Sequence, residues 1–432
     1  MIKTIIIKDA KSDAENLRNS SNSISDDDEL IQRIKGIMRD IEKYGDSAIR
    51  DYEEKFDGVK LNSLKVTDEE MREAYNKVTK KQIQSIKMIR NRLIKTEIAL
   101  FKQLQKKISF SSKGVNIQRT IQPVSSVGCY VPGGKARYPS TMVMCAVPAK
   151  VAGVSRIVAI SPPLQDGTID PLTLVSAEIC GVNEFYKIGG AQGIAALTFG
   201  TQSINKVNKI VGPGGIFVSI AKALASTRVS IDMVAGPTEL VVYADAEADA
   251  RLIAMDIISQ AEHSYDTFCG LVTTSKEVAL QVNAEIQYIL DNNSISRIDI
   301  VRKSLVENGF IAICKNEYSA IDFINEVAPE HLEIMAKNAR TISTKITSAG
   351  LILIGSFTPS SASDYCLGSN HVLPTSGFGK VRSSLSVLDF IKIVNKIQAT
   401  RSGLKKVESK VREITLAEGL MNHYEALKER IK

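Results

Sequence analysis

From Asp26 to about Phe110, apolar residues return every three or four positions. In DDDELIQRIKGIMRDIEKYGDSAIRDYEEKF, Leu30, Ile34, Ile37, Ile41 and Ile49 mark one face of amphipathic helices, with further turns through Lys107. Asp26, Asp27 and Asp28 suit a helix start, where the macrodipole favours negative charge. Near Val127 the pattern changes to short β-branched runs alternating with helical stretches. SVGCYVP precedes STMVMCAVPAKVAG, RIVAISPP precedes PLTLVSAEICG, FYKIGG precedes AQGIAALTFG, and NKIVGPGG precedes IFVSIAKALAS. Such repeated strand–helix units predict a parallel sheet covered on both faces. The Gly-rich turns would then lie at the carboxyl ends of its strands, where ligands bind in doubly wound sheets.

Strands return at ELVVYAD, CGLVTT, FIAIC and LILIGS with helices between them, which predicts a second α/β unit completed by the N-terminal helices. From about Ser386 the chain reads as helical and basic. It has too few apolar positions for a core of its own, so it is expected to pack on another domain or subunit. The expected fold class is α/β, with two Rossmann-like doubly wound domains, an N-terminal helical segment and a small C-terminal helical tail. The boundaries read as an arm at 1–25, a larger α/β domain at 26–129 plus 237–381, a Rossmann-like domain at 130–236 and the tail at 382–432.

At 432 residues the chain is long enough for more than one core, and 44% hydrophobic with 24% charged residues is ordinary for a globular protein. No apolar run reaches the roughly 18 residues of a membrane span. The segment MIKTIIIKDAKSDAEN lacks the longer apolar core of a signal peptide, so the cytoplasm is the expected compartment. A net charge of +7 raises the question of nucleic acid, but the basic residues are scattered among 48 acids and there is no Trp for base stacking. The charge reads as a solubility feature or a mild attraction for anionic cofactors. No nucleic-acid or membrane partner is expected. None of the cysteines at 129, 145, 180, 269, 314 and 366 forms a CxxC pair, which argues against a thiolate zinc cluster or a redox dithiol.

The four histidines are more informative. His263, His331, His371 and His423 lie in SQAEHS, APEHLEI, GSNHVLPT and EGLMNHYEAL, all rich in polar or turn-forming residues. Gln260 and His263, three apart at the end of a helical run, share a face and form a plausible half of a metal site. Asp364 offers a hard oxygen and His423 a second imidazole. A Gln/His/Asp/His set with open positions suits zinc or another divalent ion. Glu330 and His331 follow Pro329 and are expected at a helix N-terminus, where a carboxylate beside an imidazole offers two bases. Taken singly, each histidine reads more readily as a structural or surface imidazole; all four in such settings shift the balance towards a site. The turns VPGGKARYPS, IGGAQG and VGPGG present backbone N–H groups suited to phosphates, although none matches G-x-G-x-x-G.

Across nearly its whole length the chain resembles the histidinol dehydrogenase family. The resemblance is carried in family order by VGCYVPGGKARYPSTMVMCAVPAKVAGV, IGGAQGIAALTFGT, GPGGIF, IDMVAGPTEL, ISQAEH, APEHLEI, GSNHVLPT and AEGLMNH. It implies oxidation of L-histidinol to L-histidine through an aldehyde with two NAD, at the end of histidine biosynthesis. It further implies one zinc per subunit on Gln260, His263, Asp364 and His423, with Glu330 and His331 as the acid–base pair. Thr238, His371 and Glu418 would complete substrate recognition beside these residues. Glu418 and His423 would come from the partner in a homodimer, making the tail a dimerisation element. NAD contacts would fall on Tyr130, Gln192 and position 215. There the family usually carries Asn, and Gly215 removes a side-chain amide at the cofactor. Ser264 replaces the Asp that commonly follows the motif histidine, and Tyr424 replaces a small residue; neither removes a ligand. The competing readings are a relative of the same fold oxidising another polar alcohol, such as a sulfonated diol, and a zinc hydrolase using the same Glu–His pair.

Overall fold

The structure is a computed structural model that describes residues 2–20, 28–105, 108–133, 137–292 and 294–432. The expected helix start at Asp26 and Asp27, the turn at Lys107 and residues 134–136 of the first Gly-rich turn lie outside the described residues.

The chain opens with strand β1 (Lys3–Ile6) and helices α1 (Ala10–Ser20), α2 (Asp28–Tyr44), α3 (Asp46–Asp57), α4 (Asp68–Asn76) and α5 (Lys80–Leu104). Strands β2 (Ile108–Ser112), β3 (Val115–Pro123) and β4 (Ser126–Tyr130) follow. A strand–helix alternation then runs through α6 (Pro139–Ala152), β5 (Arg156–Ser161), α7 (Pro171–Cys180), β6 (Glu184–Lys187), α8 (Gly190–Phe199), β7 (Lys209–Val211), α9 (Ile216–Ala225) and β8 (Ser230–Ile231). The second alternation holds β9 (Glu239–Ala244), α10 (Ala250–Ala261), β10 (Phe268–Thr273), α11 (Lys276–Asn292), α12 (Ile298–Glu307), β11 (Gly309–Ile313) and α13 (Glu317–Val327). It ends with β12 (His331–Met335), α14 (Ala339–Ser343), β13 (Leu351–Ile354) and α15 (Ser360–Ser363). The tail carries β14 (Ile391–Ala399), α16 (Arg401–Ala417) and α17 (Met421–Ile431).

Two parallel sheets result, as the alternation predicts. One has the order β6-β5-β4-β7-β8 and the other β1-β11-β10-β9-β12-β13. Their central strands are apolar almost throughout, as in Leu240–Ala244 and Leu271–Val272, because helices cover both faces. In the first sheet the order reverses between β4 and β7, the position at which doubly wound sheets open a crevice. Gly212 stands there with φ +115°, and a Cβ on it would fall 2.1 Å from the Tyr130 carbonyl oxygen, so only glycine closes this turn.

Three features differ from the sequence reading. Of the N-terminal helices, α1 packs on the second unit, through Ala14 and Leu17, while α2 and α3 pack on the first sheet: Ile34, Ile41 and Ile49 join a core with Val158, Ile160, Ile194 and Leu197. Ile86, Ile89 and Leu93 of α5 likewise pack against the α6 residues Val143 and Val147. Residues 3–6, read as part of an arm, form an edge strand paired in parallel with β11. The tail does not begin as helix. Residues 391–399 pair antiparallel with β3, which also pairs with β2, in a three-stranded sheet. IKIVNKIQA carries β-branched residues at strand spacing, which outweighs its lysines. On this sheet and the tail, Phe110, Ile393, Ile397, Ile414 and Leu420 are exposed. No helix among the described residues is long and apolar enough to cross a membrane.

Candidate functional site

A cavity of about 660 Å³ lies where the carboxyl ends of the first sheet meet the amino ends of β9 and β12. Its walls include residues 212–216, which follow β7, together with Thr238, His263, Glu330, His331, Asp364 and His371. The second unit thus contributes the amino ends of its strands, opposite to the crevice of an ordinary doubly wound sheet. The short connection 232–238 between β8 and β9 sets this arrangement.

Glu330 and His331 begin a strand, not the helix expected from Pro329. Ala328 adopts φ 47° after α13, and HLEIM then runs fully buried between β9 and β13. An apolar alternation held between two strands decides the local structure, and the proline only ends the preceding helix. At the strand starts, Glu239 and Glu330 exchange bonds. The Glu239 N–H donates to Glu330 Oε2 at 2.7 Å, and the Glu330 N–H donates to Glu239 Oε2 at 3.2 Å. Arg18 of α1 clamps Glu239 in bidentate fashion at 2.5 and 2.9 Å. The Ser376 N–H adds a further bond to Glu239 at 2.7 Å.

A hydrogen-bonded chain runs from α10 to this carboxyl. Gln260 Nε2 donates to Thr238 Oγ1 at 2.8 Å, and the Thr238 hydroxyl donates to Glu330 Oε2 at 2.8 Å. Burial pushes Glu330 up to about 7, although the neighbouring His331 charge opposes it. His331 is held at both nitrogens. Nδ1 lies 3.1 Å from the Glu239 carbonyl and Nε2 lies 3.0 Å from Asp364 Oδ1. A carbonyl and a carboxylate only accept, so the ring is an imidazolium. Burial disfavours that charge, but Glu330 and Asp364 together outweigh it and raise His331 to about 9. Asp364 in turn sits below its ordinary value, because His331, His371 and His263 outweigh its burial.

His371 Nδ1 donates to the Asp364 carbonyl at 2.7 Å, so its Nε2, 3.2 Å from Thr141 Oγ1, accepts when the ring is neutral. Burial pushes its pKa down, which favours that neutral form. His263 follows the end of α10, with its N–H on the Gln260 carbonyl at 3.1 Å. Its imidazole faces the cavity with its pKa lowered by burial.

His263 and Asp364 line the cavity, whereas Gln260 is buried behind Thr238 and does not. His423 on α17 and Glu418 at the end of α16 are exposed and do not line it. Among the described residues of one chain, no group of three or more His, Cys, Asp or Glu side chains gathers to hold a metal.

The three residues expected to contact NAD separate. Gly215 lines the cavity, whereas Tyr130 and Gln192 are buried behind it and do not. The Gly190 N–H donates to the Tyr130 hydroxyl at 3.3 Å, and Gln192 Nε2 donates to Glu53 Oε1 at 2.9 Å. Glu53 also accepts from the Gly189 N–H at 3.1 Å, and burial pushes it up to about 8. Sequence reasoning missed Glu53, although it lies one helical turn after Ile49 on the apolar face of α3. It also missed Lys222 and Asp232, a fully buried ion pair at 2.5 Å on the cavity wall. Lys222 Nζ donates to the Gly212 carbonyl at 2.8 Å and the Gly212 N–H donates to Asp232 at 2.7 Å, so the pair fastens the turn after β7. A lysine within IFVSIAKALA was the available signal.

A family profile described as histidinol dehydrogenase matches residues 20–431. The histidinol dehydrogenase of Clostridium acetobutylicum is 43% identical over 405 residues, covering 94% of this chain and 93% of that protein. That of Methanocaldococcus jannaschii is 40% identical over the same shares of the two chains. The crystal structure of the histidinol dehydrogenase from Elizabethkingia anophelis superposes with a TM-score of 0.92 at 33% identity, covering 100% of this chain and 98% of that one. With the profile, the relatives and the superposition agreeing over almost its full length, the chain belongs to the histidinol dehydrogenase family.

Proposed function

We propose that the chain oxidises L-histidinol to L-histidine through the aldehyde, as an NAD-dependent enzyme whose site is completed by a second copy of itself. The observation that carries this reading is the convergence of Thr238, His263, Glu330, His331, Asp364 and His371 on one cavity beside the Gly212–Gly215 turn. Bound NAD supplies a hydride acceptor for each oxidation step, and bound zinc supplies a Lewis-acidic anchor for the amino and imidazole nitrogens of the substrate.

Gln260, His263 and Asp364 would hold the zinc from within one chain. The donor set fits: an amide oxygen, an imidazole kept neutral by burial and a carboxylate held ionised. One protein ligand short of the proposed four, the set calls for His423 from a neighbouring subunit. The exposed His423 and Glu418, on a tail that shows Ile414, Leu416 and Leu420 to solvent, support that source. In this dimer Thr238, His371 and the second copy's Glu418 orient the substrate.

His331 takes the hydroxyl proton in the first oxidation. It does so only once Nε2 is freed from Asp364, itself a proposed metal ligand, and has given up its own proton to solvent, leaving a neutral ring whose Nε2 accepts. Glu330, fastened by Thr238 and Glu239, removes a proton from the water that adds to the aldehyde carbon, and the hydrate is then oxidised to the acid. Tyr130 and Gln192 shape the cofactor wall from behind, with Gly215 at its surface. Six free cysteines, five of them buried, suit a reducing cytoplasm.

The following outcomes are expected. Purified protein with zinc, NAD and L-histidinol produces NADH. His331→Asn lowers the rate of the alcohol step by about 10²–10⁴-fold, while Glu330→Gln lets the aldehyde build up. Turnover of a different alcohol with none of histidinol overturns the substrate assignment. Mixing inactive His331→Asn and His423→Asn subunits under exchange restores part of the activity; a mixture as inactive as its parents rules out a shared site. A Cβ at Gly215 meets no atom within 4 Å, so an asparagine fits there. Gly215→Asn lowers the KM for NAD by about 2- to 10-fold, the worth of one added hydrogen bond, and an unchanged KM removes position 215 from the cofactor site.

A further inference from the structure

Beneath the cavity a second pair of carboxyl groups joins the elements that carry the site. Glu333 lies two residues beyond His331, on the same face of β12. It is 1% exposed. Its Oε1 accepts from the Ser360 N–H at 2.6 Å, at the start of α15 and four residues before Asp364. Its Oε2 is buried and no donor reaches it. The group that faces it is the carboxyl of Asp256, which sits on α10 one turn before Gln260. Two ionised carboxylates in that position would repel, and a buried oxygen without a donor costs on the order of 1–3 kcal/mol. One proton between them removes both penalties.

We propose that Asp256 and Glu333 share a single proton, and that this pair fastens α10 and α15 to β12, so positioning Gln260, His263 and Asp364 against His331. The two residues touch neither substrate nor reacting atoms and act as positioning residues. The positioning role rests on the metal-site reading given above, whereas the shared proton does not. Burial and the facing Asp256 carboxyl raise Glu333 to about 8 against the Ser360 amide and hydroxyl, while burial raises Asp256 against its hydrogen bond with Glu333.

The sign of the pH dependence follows. Folded Glu333 keeps its proton up to about pH 8 whereas the unfolded carboxyl loses it near its ordinary 4.5. The stability this proton provides is therefore full below about 4.5 and is lost as pH rises to about 8. Glu333→Gln supplies an amide that can donate to Asp256 and accept from Ser360 at every pH. In the metal-free full-length protein, the melting temperature of Glu333→Gln should climb by several degrees relative to wild type from pH 5 to 8 and then level off. Parallel curves overturn the shared proton.

Zinc retention against a chelator at pH 7 tests the positioning. Glu333→Ala, or Asp256→Ala should the first fail to fold, should release zinc about 10- to 100-fold more readily. Its kcat with histidinol should fall while the KM for NAD stays unchanged. Glu333→Gln should restore both zinc retention and kcat. Retention in the alanine variants equal to wild type overturns the positioning role. A wild-type protein that takes up no zinc overturns the metal-site reading and the positioning role with it, while the melting curves still decide the proton.

Discussion

The reciprocal hydrogen bonds between Glu239 and Glu330 are the constraint on which the site depends. β9 and β12 are neighbours in a parallel sheet, and each is entered through a glutamate whose carboxylate satisfies the other's first N–H. This draws two carboxyl groups into the sheet where water cannot solvate them. Arg18 resolves the conflict by pairing with Glu239, which leaves the second carboxyl, Glu330, to be neutralised by protonation near pH 7 or by the adjacent His331. The proton chemistry of the site is thus a consequence of how two strands begin.

The cavity exists because the two α/β units meet end to end. The first contributes its carboxyl-end crevice, closed at Gly212 against Tyr130 and fastened by Lys222 and Asp232. The second contributes the amino ends of β9 and β12 with Glu330 and His331. The Gly-rich turn after β7 and the Glu330–His331 pair consequently face each other across one space. The third component, the tail, carries Glu418 and His423 but keeps them outside that space within a single chain.

Much of the architecture was legible because parallel strands buried on both faces read as continuous apolar runs, as ELVVYAD and RIVAIS do. The chemistry-bearing residues stood out for a related reason. Four histidines in polar contexts, with Gln260 and Asp364, are conspicuous in a chain where most buried positions are aliphatic. What stayed hidden depends on partners distant in sequence. His331 reads as a helix start after Pro329 until β9 and β13 flank it. Ile391–Ala399 reads as a basic helix until β3 pairs with it. Arg18, Glu53, Lys222 and Glu333 are ordinary charged residues in a string; only burial against Glu239, Gln192, Asp232 and Ser360 gives them a role. No local pattern announces contacts that only the fold creates, whether ten residues apart, as Lys222 and Asp232 are, or 221, as Arg18 and Glu239 are.

The ionisation of Glu330 bears most directly on this account. Infrared difference spectra of wild type minus Glu330→Gln, recorded on the metal-free protein across pH 4–9, isolate its protonated carboxyl band. A band that persists at pH 6 and disappears around pH 7 is the predicted result. A band already lost near the ordinary carboxyl value of about 4.3 would show that strand pairing does not control the site's protons.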